Sequence, residues 1–332
     1  MGKGGLRERG GAAVRKQDER ENRIQGKARQ RQRAARKRTG TAAVCIFLLI
    51  PLTIAGGIAA GSRWYLPVSL LVLAETMAPF FLIYENRRPK AREIVMLALL
   101  SALTVMGNLL SFSALPIQAG TAMVILSGIS FGPEAGFLVG ALARFVCNFF
   151  QGQGAWTPWQ MFCWGLLGFL AGLAFAGAQA DKIKSRNFTV VLGPVVCVIA
   201  AEIAAYLSYL LFPGGDTSFW GWRLYIFGAA GLLAGVLLQR KRLPADEITL
   251  GIFTFLTVFI IYGGIMNIST LVTGAAFTAE GFSWEQMKIL YLTGVPFDML
   301  HAFRATVFMV LFGNPIIRKL ERIKIKYGFY RV

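Results

Sequence analysis

Long apolar runs recur from residue 42 almost to the end of the chain, each close to the roughly 20 residues that a helix needs to cross a bilayer. Lipid offers the backbone no hydrogen-bond partner, so runs of this kind form helices. The hydrophobic share of 55% also exceeds what the core of a soluble domain requires. The predicted fold class is all-α, a polytopic transmembrane helical bundle of about ten spans: 42–61, 64–84, 91–111, 115–131, 133–150, 159–179, 189–212, 219–238, 247–273 and 287–312.

The distribution of cations predicts how these spans are oriented. Alternation of the spans places the 35 Lys and Arg residues on one side with few exceptions, which are Arg63, Arg144, Arg223, Lys288 and Arg304. Short loops that stay in the cytoplasm are rich in Lys and Arg. We therefore predict a multi-pass protein of the cell membrane with both termini in the cytoplasm.

The same pattern divides the chain into four segments. Residues 1–41 are basic and contain few aromatic residues, which predicts a disordered basic cytoplasmic tail that binds anionic membrane lipid. Nucleic acid is not expected as a partner, because the tail lacks the aromatic residues on which bases stack. Two additional N-terminal transmembrane helices fall within 42–90, the transmembrane core within 91–318, and a basic cytoplasmic C-terminal tail within 319–332.

Sequence motifs for catalysis are missing. The chain has no G-x-x-x-x-G-K-[ST] loop for ATP phosphates, no H-E-x-x-H, no G-x-S-x-G and one histidine in all. Its four cysteines lie within apolar runs and show no paired spacing. We therefore expect a chain that is not an enzyme, that hydrolyses no ATP itself, and that binds no metal and no cofactor.

Ionisable side chains within the spans are the first candidates for function, because each costs at least ~2.5 kcal/mol to insert. The five are Arg144, Glu202, Asp298, His301 and Arg304. On the last span, Asp298 and His301 nearly share a helix face, and Arg304 is turned away from both. Two interpretations stay open: these groups line a solute pathway, or Glu202 neutralises an arginine and the others anchor helices.

An uncharged run at 148–160 follows the fifth predicted span and carries aromatic and amide side chains around a proline. An interfacial aromatic belt explains the tryptophans but not the amides, so contact with a ligand is favoured. With three residues of the last span, the run supplies the candidate substrate-binding set: Asn148, Gln151, Gln153, Trp156, Trp159, Gln160, Asp298, His301 and Arg304.

Small residues four positions apart recur within the spans, and each pair permits close approach of two helix backbones. They are Gly132, Gly136 and Gly140; Gly168 and Gly172; Gly231 and Gly235; and Ala98 and Ala102. The set predicts a tightly packed bundle.

Three segments together resemble a known family. Residues 131–172 run FGPEAGFLVGALARFVCNFFQGQGAWTPWQMFCWGLLGFLAG, residues 91–108 run AREIVMLALLSALTVMGN, and residues 294–323 run GVPFDMLHAFRATVFMVLFGNPIIRKLERI. These segments resemble the substrate-binding S components of energy-coupling factor (ECF) transporters. The chain has about ten predicted spans, whereas members of the family typically have six. This long form most resembles members assigned to cobalamin or a corrinoid precursor.

The resemblance implies a membrane protein that captures a vitamin or vitamin precursor from outside. It also implies partners, namely an ECF coupling protein and two ATPase subunits that power release into the cell. The family's docking signature on the first core helix, Ala-x-x-x-Ala, falls on Ala98 and Ala102. Two alternatives stay open: a proton-coupled secondary transporter that uses Asp298, His301 and Glu202, and a membrane-embedded enzyme.

Overall fold

A computed structural model describes residues 44, 48–60, 64, 67–68, 71–72, 74–75, 91–113, 117–154, 156–175, 188–239, 243–277 and 283–327. The chain divides into two units, Met1–Val44 and Cys45–Val332, and the description below concerns the second. The predicted basic tail and most of the span at 64–84 lie outside the described residues. So do nearly all the cations of the inner loops at 85–92, 181–186 and 239–242.

The described part of the chain is helical and contains no strand. Its helices are α1 (Ile50–Ala60), α2 (Ala91–Ser113), α3 (Ala119–Phe131), α4 (Pro133–Gln151), α5 (Thr157–Phe175), α6 (Phe188–Leu211), α7 (Trp222–Leu238), α8 (Glu247–Leu256), α9 (Gly264–Phe277) and α10 (Trp284–Lys326). A π-helical segment, Thr257–Gly263, joins α8 to α9. The all-α prediction is confirmed for these residues.

Five of the described helical segments are long and apolar enough to cross a membrane. They are Ala91–Ser111, Thr157–Phe175, Gly193–Leu211, Glu247–Leu271 and Trp284–Lys326. Helices α3 and α7 are apolar but shorter. The count of ten spans and the orientation of the termini stay predictions.

Local sequence explains two of the sharpest helix boundaries. Gly132 adopts φ 97°, a conformation that favours glycine, and Pro133 then occupies the first turn of α4, where a missing N–H costs nothing. Asp246 caps α8 by accepting hydrogen bonds from the Thr249 backbone N–H at 2.9 Å and from the Thr249 hydroxyl at 2.9 Å. The α3–α4 connection is consequently very short, and the start of α8 is well defined.

Helices α3, α4 and α5 form the most closely packed part of the bundle. A Cβ added at Gly136 would meet backbone atoms of Gly168 and Gly128, and one added at Gly172 would meet backbone atoms of Pro133. Nearly every residue of α3 is buried, as expected of a helix surrounded by others. The small-residue spacing therefore does bring helix backbones together in this region.

The last helix is much longer than a membrane span. Forty-three residues at 1.5 Å each give about 65 Å, roughly twice the thickness of the hydrocarbon layer. Helix α10 continues through Lys319, the first residue of the predicted C-terminal tail, and ends at Lys326. Its charged final turns therefore extend beyond the apolar stretch that sequence reasoning recognised.

Candidate functional site

The run at 148–160 consists of two helix ends and a short connection between them. Asn148 and Gln151 lie in the last turn of α4, and Trp159 and Gln160 lie in the first turn of α5. Only residues 152–156 separate the two helices. The connection is thus shorter than the uncharged run, and most of its polar side chains stand on helices.

Hydrogen bonds join these polar side chains into a network. The Asn148 side-chain amide donates to the Thr157 hydroxyl at 3.1 Å and to Gln160 Oε1 at 3.0 Å. The Thr157 hydroxyl donates to Gln153 Oε1 at 3.0 Å, and the Gln153 amide donates to the Phe145 carbonyl at 3.3 Å. The network fixes the end of α4 against the start of α5. We call this region, residues 148–160, the rim.

The two tryptophans of this region have different environments. Trp159 is 2% exposed and belongs to the hydrophobic core. Trp156 is 42% exposed, and a Cβ added at Gly154 would lie 2.5 Å from its ring, so the ring covers the Gly154 backbone. Gln151 is half-buried. Trp156 is therefore the exposed tryptophan of this region, whereas Trp159 supports the packing beneath it.

Arg144 lies within the bundle, about 10 Å below the end of α4. Its Nε donates to Gln160 Oε1 at 2.8 Å, and its guanidinium group lies over the Trp164 ring at 5.2 Å from the ring centroid. Among the described residues, no carboxylate lies within ion-pair distance of Arg144. A neutral amide and an aromatic face compensate only part of the cost of an intramembrane cation.

Polar atoms without a hydrogen-bond partner surround Arg144. In the described structure they include Trp164 Nε1, Asn108 Nδ2 and Asn148 Oδ1, all on side chains at most 5% exposed. Asn148 shares Gln160 with Arg144, and Asn108 contacts Cys147, one turn of α4 beyond Arg144. An unsatisfied buried polar atom costs about 1–3 kcal/mol, so this concentration indicates a place for a polar ligand. We call Arg144, Asn108, Asn148, Gln160 and Trp164 the arginine cluster.

His301 joins the last helix to the central one. Its Nε2 lies 3.0 Å from the Thr121 hydroxyl, and its ring meets Tyr262 edge to face at 4.6 Å between centroids. Arg144 lies within electrostatic range of both His301 and Tyr262. His301 therefore borders the arginine cluster on the side of α10 and the π-helical segment.

Arg304 stabilises a helix end. Its Nη2 donates to the Ser111 carbonyl at 3.3 Å, in the last turn of α2, where a cation is favourable. Its own carbonyl accepts from the Gln118 N–H at 3.2 Å, at the start of α3. These contacts give Arg304 a structural role in joining α2 to α3.

Asp298 is directed to a different part of the bundle. One of its oxygens accepts from the Tyr225 hydroxyl at 2.6 Å and from the Asn267 amide at 3.0 Å. Tyr225 lies on α7 and Asn267 on α9, so Asp298 binds three helices together. Glu202, on α6, lies against α7, where a Cβ added at Gly228 would meet its Oε1 at 2.9 Å. The three residues predicted on the last span therefore serve three separate contacts.

Sequence reasoning missed several members of this site. Trp164, Asn108 and Thr121 were not predicted, and Arg144 was singled out as a costly charge without being assigned to the substrate set. A usable signal was the matched spacing of Arg144 with Asn148 and of Gln160 with Trp164, four residues apart on consecutive helices. Such pairs lie on one helix face, and the short α4–α5 connection makes these helices neighbours.

Asp216, Arg223 and Lys288 form a charged cluster. Asp216 pairs with Arg223 at 2.9 Å and with Lys288 at 3.1 Å, and Trp222 also donates to it at 3.2 Å. Burial raises the pKa of Asp216, but hydrogen bonds from Lys288, Arg223 and Trp222 outweigh it and hold the pKa below its ordinary value. The cluster attaches the α6–α7 loop to the start of α10.

Two other surfaces differ from the arginine cluster. A groove of about 320 Å³ between α6, α8 and α10 is lined by apolar side chains and Thr306, and it offers little to orient a polar solute. On α2, Ala98 and Ala102 are both exposed, on a face that also presents Val95, Leu99 and Met106.

Comparisons with known proteins identify the family. The family model for the S component of an ECF-type riboflavin transporter matches residues 89–190, which include α2 to α5 and therefore the arginine cluster. No solved structure matches the chain.

Relatives in three species match about a third of this chain. A UPF0397 protein of Vibrio atlanticus is 35% identical over 128 residues, which is 36% of this chain and 68% of the relative. One of Aliivibrio salmonicida is 34% identical over 135 residues, 37% of this chain and 72% of the relative. One of Aliivibrio fischeri is 34% identical over 104 residues, 30% of this chain and 55% of the relative. UPF0397 proteins belong to the matched family, whose members are transporter components and not enzymes. This chain accordingly belongs to the S-component family of ECF-type transporters.

Proposed function

We propose that this chain is the solute-binding component of an ATP-driven vitamin importer of the cell membrane. The observation that carries the proposal is the arginine cluster, where an intramembrane arginine and buried polar atoms without partners lie below the outer rim of α4 and α5. A protein that only packed in lipid would gain nothing from this arrangement. The family membership supplies the transport context.

The proposed solute enters between the rim and the last helix. Trp156, Gln151 and Gln153 lie at the rim, and Asn148 and Gln160 link the rim to Arg144 below. His301 borders the same cluster through Thr121 and Tyr262. Trp159, Asp298 and Arg304 hold the surrounding helices in place, so their effect on binding is through packing.

Two vitamins are candidate solutes. The sequence resemblance favours cobalamin or a corrinoid precursor, and the description of the matching family model names riboflavin. The two differ greatly in size, so equilibrium binding of each to the purified protein distinguishes them. Release of bound solute by denaturation and its identification by mass spectrometry gives an independent answer.

The proposed orientation places both termini in the cytoplasm, with the rim of α4 and α5 outside. The positive-inside distribution supports this, and it places the C-terminal turns of α10, rich in Lys and Arg, on the inner side. The expected partners there are an ECF coupling protein and two ATPase subunits, in agreement with the family.

Reconstitution in liposomes tests the proposal. Protein co-reconstituted with a coupling protein and its ATPases should accumulate riboflavin or cobalamin only when ATP is supplied on the ATPase side. Protein reconstituted alone should bind the solute without accumulating it. Accumulation by the lone chain under an imposed proton gradient would instead establish the secondary transporter, with Asp298 as the first residue to examine.

A further inference from the structure

Arg144 presents unused hydrogen-bond donors inside the bundle. Its only hydrogen bond in the described structure uses Nε, so both terminal nitrogens, Nη1 and Nη2, are left without an acceptor. Arginine carries five N–H donors in a planar fork that suits two acceptor atoms side by side. The fork is held in one orientation by Gln160 on one side and the Trp164 ring on the other.

The neighbouring unpartnered atoms are mostly donors as well. Trp164 Nε1 can only donate, and Asn108 Nδ2, on α2 beside Cys147, is a second potential donor. Asn148 Oδ1 is the one acceptor among them. Donors and positive charge together complement a ligand group that is rich in acceptors, and they repel a ligand cation.

Charged groups elsewhere in the bundle do not reverse the cluster's preference for acceptor-rich ligand groups. Asp298 is satisfied by Tyr225 and Asn267, and Arg304, a second cation, lies within electrostatic range of His301 beside the cluster. No described carboxylate forms an ion pair with Arg144. The local field at the cluster is therefore positive.

We infer that Arg144 is a recognition residue for an acceptor group of the solute, either a carboxylate or the carbonyl edge of a ring, and that the site rejects solutes whose buried end is cationic. The inference rests on the proposed function and adds the chemistry of the bound group. Trp164 contributes both a ring beneath the guanidinium and a donor beside it.

Binding of matched vitamins to the purified full-length protein tests the inference. Riboflavin carries ring carbonyls, pantothenate carries a carboxylate that panthenol lacks, and thiamine and pyridoxamine are cationic. We expect measurable binding of riboflavin or pantothenate and none of thiamine or pyridoxamine. Preference for pantothenate over panthenol would identify the group as a carboxylate, and binding of riboflavin alone would identify a ring carbonyl. Tighter binding of a cationic vitamin, or no binding of riboflavin, pantothenate or cobalamin, overturns the inference.

Substitutions at the cluster separate recognition from folding. Arg144→Lys keeps the charge and loses the fork, so affinity for the bound vitamin should fall about tenfold, and Arg144→Met should lower it about 100-fold or more. Trp164→Phe keeps a ring and removes the donor, with an expected fall of about fivefold. Arg318→Met, on the exposed final turns of α10, is the matched control and should leave the affinity for the vitamin unchanged. Unchanged affinity in folded Arg144→Lys and Trp164→Phe would contradict the assignment, while ATP-driven uptake by these variants would leave the proposed transport function intact.

Discussion

Trp156 and Trp159 differ by three positions in the sequence and by far more in environment. The first is 42% exposed at the rim, and the second is 2% exposed in the core. Aromatic residues at a membrane boundary share one sequence signature whether they anchor, pack or bind. Their separate roles depend on how α5 is rotated against α4, which the glycine contacts of these helices determine.

Alanine substitutions should therefore affect different properties at these two positions. Trp159→Ala leaves a cavity in the core and should lower stability by about 3–5 kcal/mol. Trp156→Ala should leave stability almost unchanged and weaken vitamin binding by about 1–3 kcal/mol, through loss of ring contact. Thermal unfolding and equilibrium binding in detergent measure both. Trp220→Ala, at an exposed tryptophan outside the rim, is the control. Equal affinity in Trp156→Ala and the parent protein would remove this ring from the site.

Asp216 is the described residue outside the membrane helices whose charge state bears most directly on stability. Its pKa is lowered in the folded protein, so its contribution is complete above the ordinary carboxyl pKa and declines as the pH falls through the folded value. The loss is therefore confined to pH values below about 4. At neutral pH Asp216 is therefore ionised.

Asp216→Asn should lower stability at neutral pH by about 3 kcal/mol, because it leaves the buried Arg223 without its counter-charge. It should also flatten the decline in unfolding temperature below about pH 4. Glu285→Gln is the matched control, since this carboxylate is largely exposed and 3.8 Å from Lys288. A decline that is equally steep in Asp216→Asn and the parent would assign the acid sensitivity to another group.

Helix packing in α3, α4 and α5 depends on glycines that face other backbones. Gly136 and Gly168 lie in close contact. A Cβ added to either residue would meet the carbonyl oxygen of the other. Backbone atoms cannot rotate aside as the end of a flexible side chain can. The arginine cluster lies on the same pair of helices, so its geometry depends on this close approach.

Gly136→Ala should cost about 1–3 kcal/mol of stability and weaken vitamin binding, because α4 must move away from α5. Gly56→Ala, in α1, is the control: a Cβ there meets nothing within 4 Å, and alanine favours a helix. Thermal unfolding of both variants checks the difference. A Gly136→Ala protein as stable as Gly56→Ala would show that the backbones can separate without cost.

The positions of the helices along the chain were largely predictable from the sequence. Which helices pack against each other was not. The span predicted at 91–111 corresponds to Ala91–Ser113, and the one at 133–150 to Pro133–Gln151, because apolar length sets both. The last helix extends to Lys326 because Lys and Arg are good helix formers once lipid no longer excludes them. The π-helical turn at Thr257–Gly263 has no comparable signal, since it lies inside one continuous apolar run.

The candidate site was predictable only in its outer part. Amide and aromatic residues at 148–160 stand out in sequence because charges are missing there. Arg144 could be identified as costly, but its approach to Trp164 and the isolation of Asp298 from Arg304 depend on helix rotation. Spacing on one helix shows which residues share a face and does not show what that face meets.

At the scale of the described molecule, the arginine cluster and the small-residue face of α2 are separate surfaces. The arginine cluster lies where α4, α5 and the buried Asn108 of α2 meet, whereas Ala98 and Ala102 lie on the exposed face of α2. Small side chains on an exposed helix permit close approach of another helix, which lipid alone does not require. We propose this face as the contact with the coupling protein, in agreement with the Ala-x-x-x-Ala signature of the family.

Ala98→Leu and Ala102→Leu should therefore reduce ATP-driven vitamin uptake by at least tenfold and leave the dissociation constant of the vitamin unchanged. Leucine adds a branched side chain where two helices must meet, and neither position contacts the arginine cluster. Ala230→Leu, on the exposed face of α7, makes the same chemical change on a different surface and should leave uptake normal. Co-purification of each variant with the coupling module shows whether the loss arises at docking, and its expected result is retention for Ala230→Leu and release for the two α2 variants. Normal uptake by both α2 variants would place the coupling contact on another face, and a parallel loss of vitamin affinity would show that α2 also shapes the site.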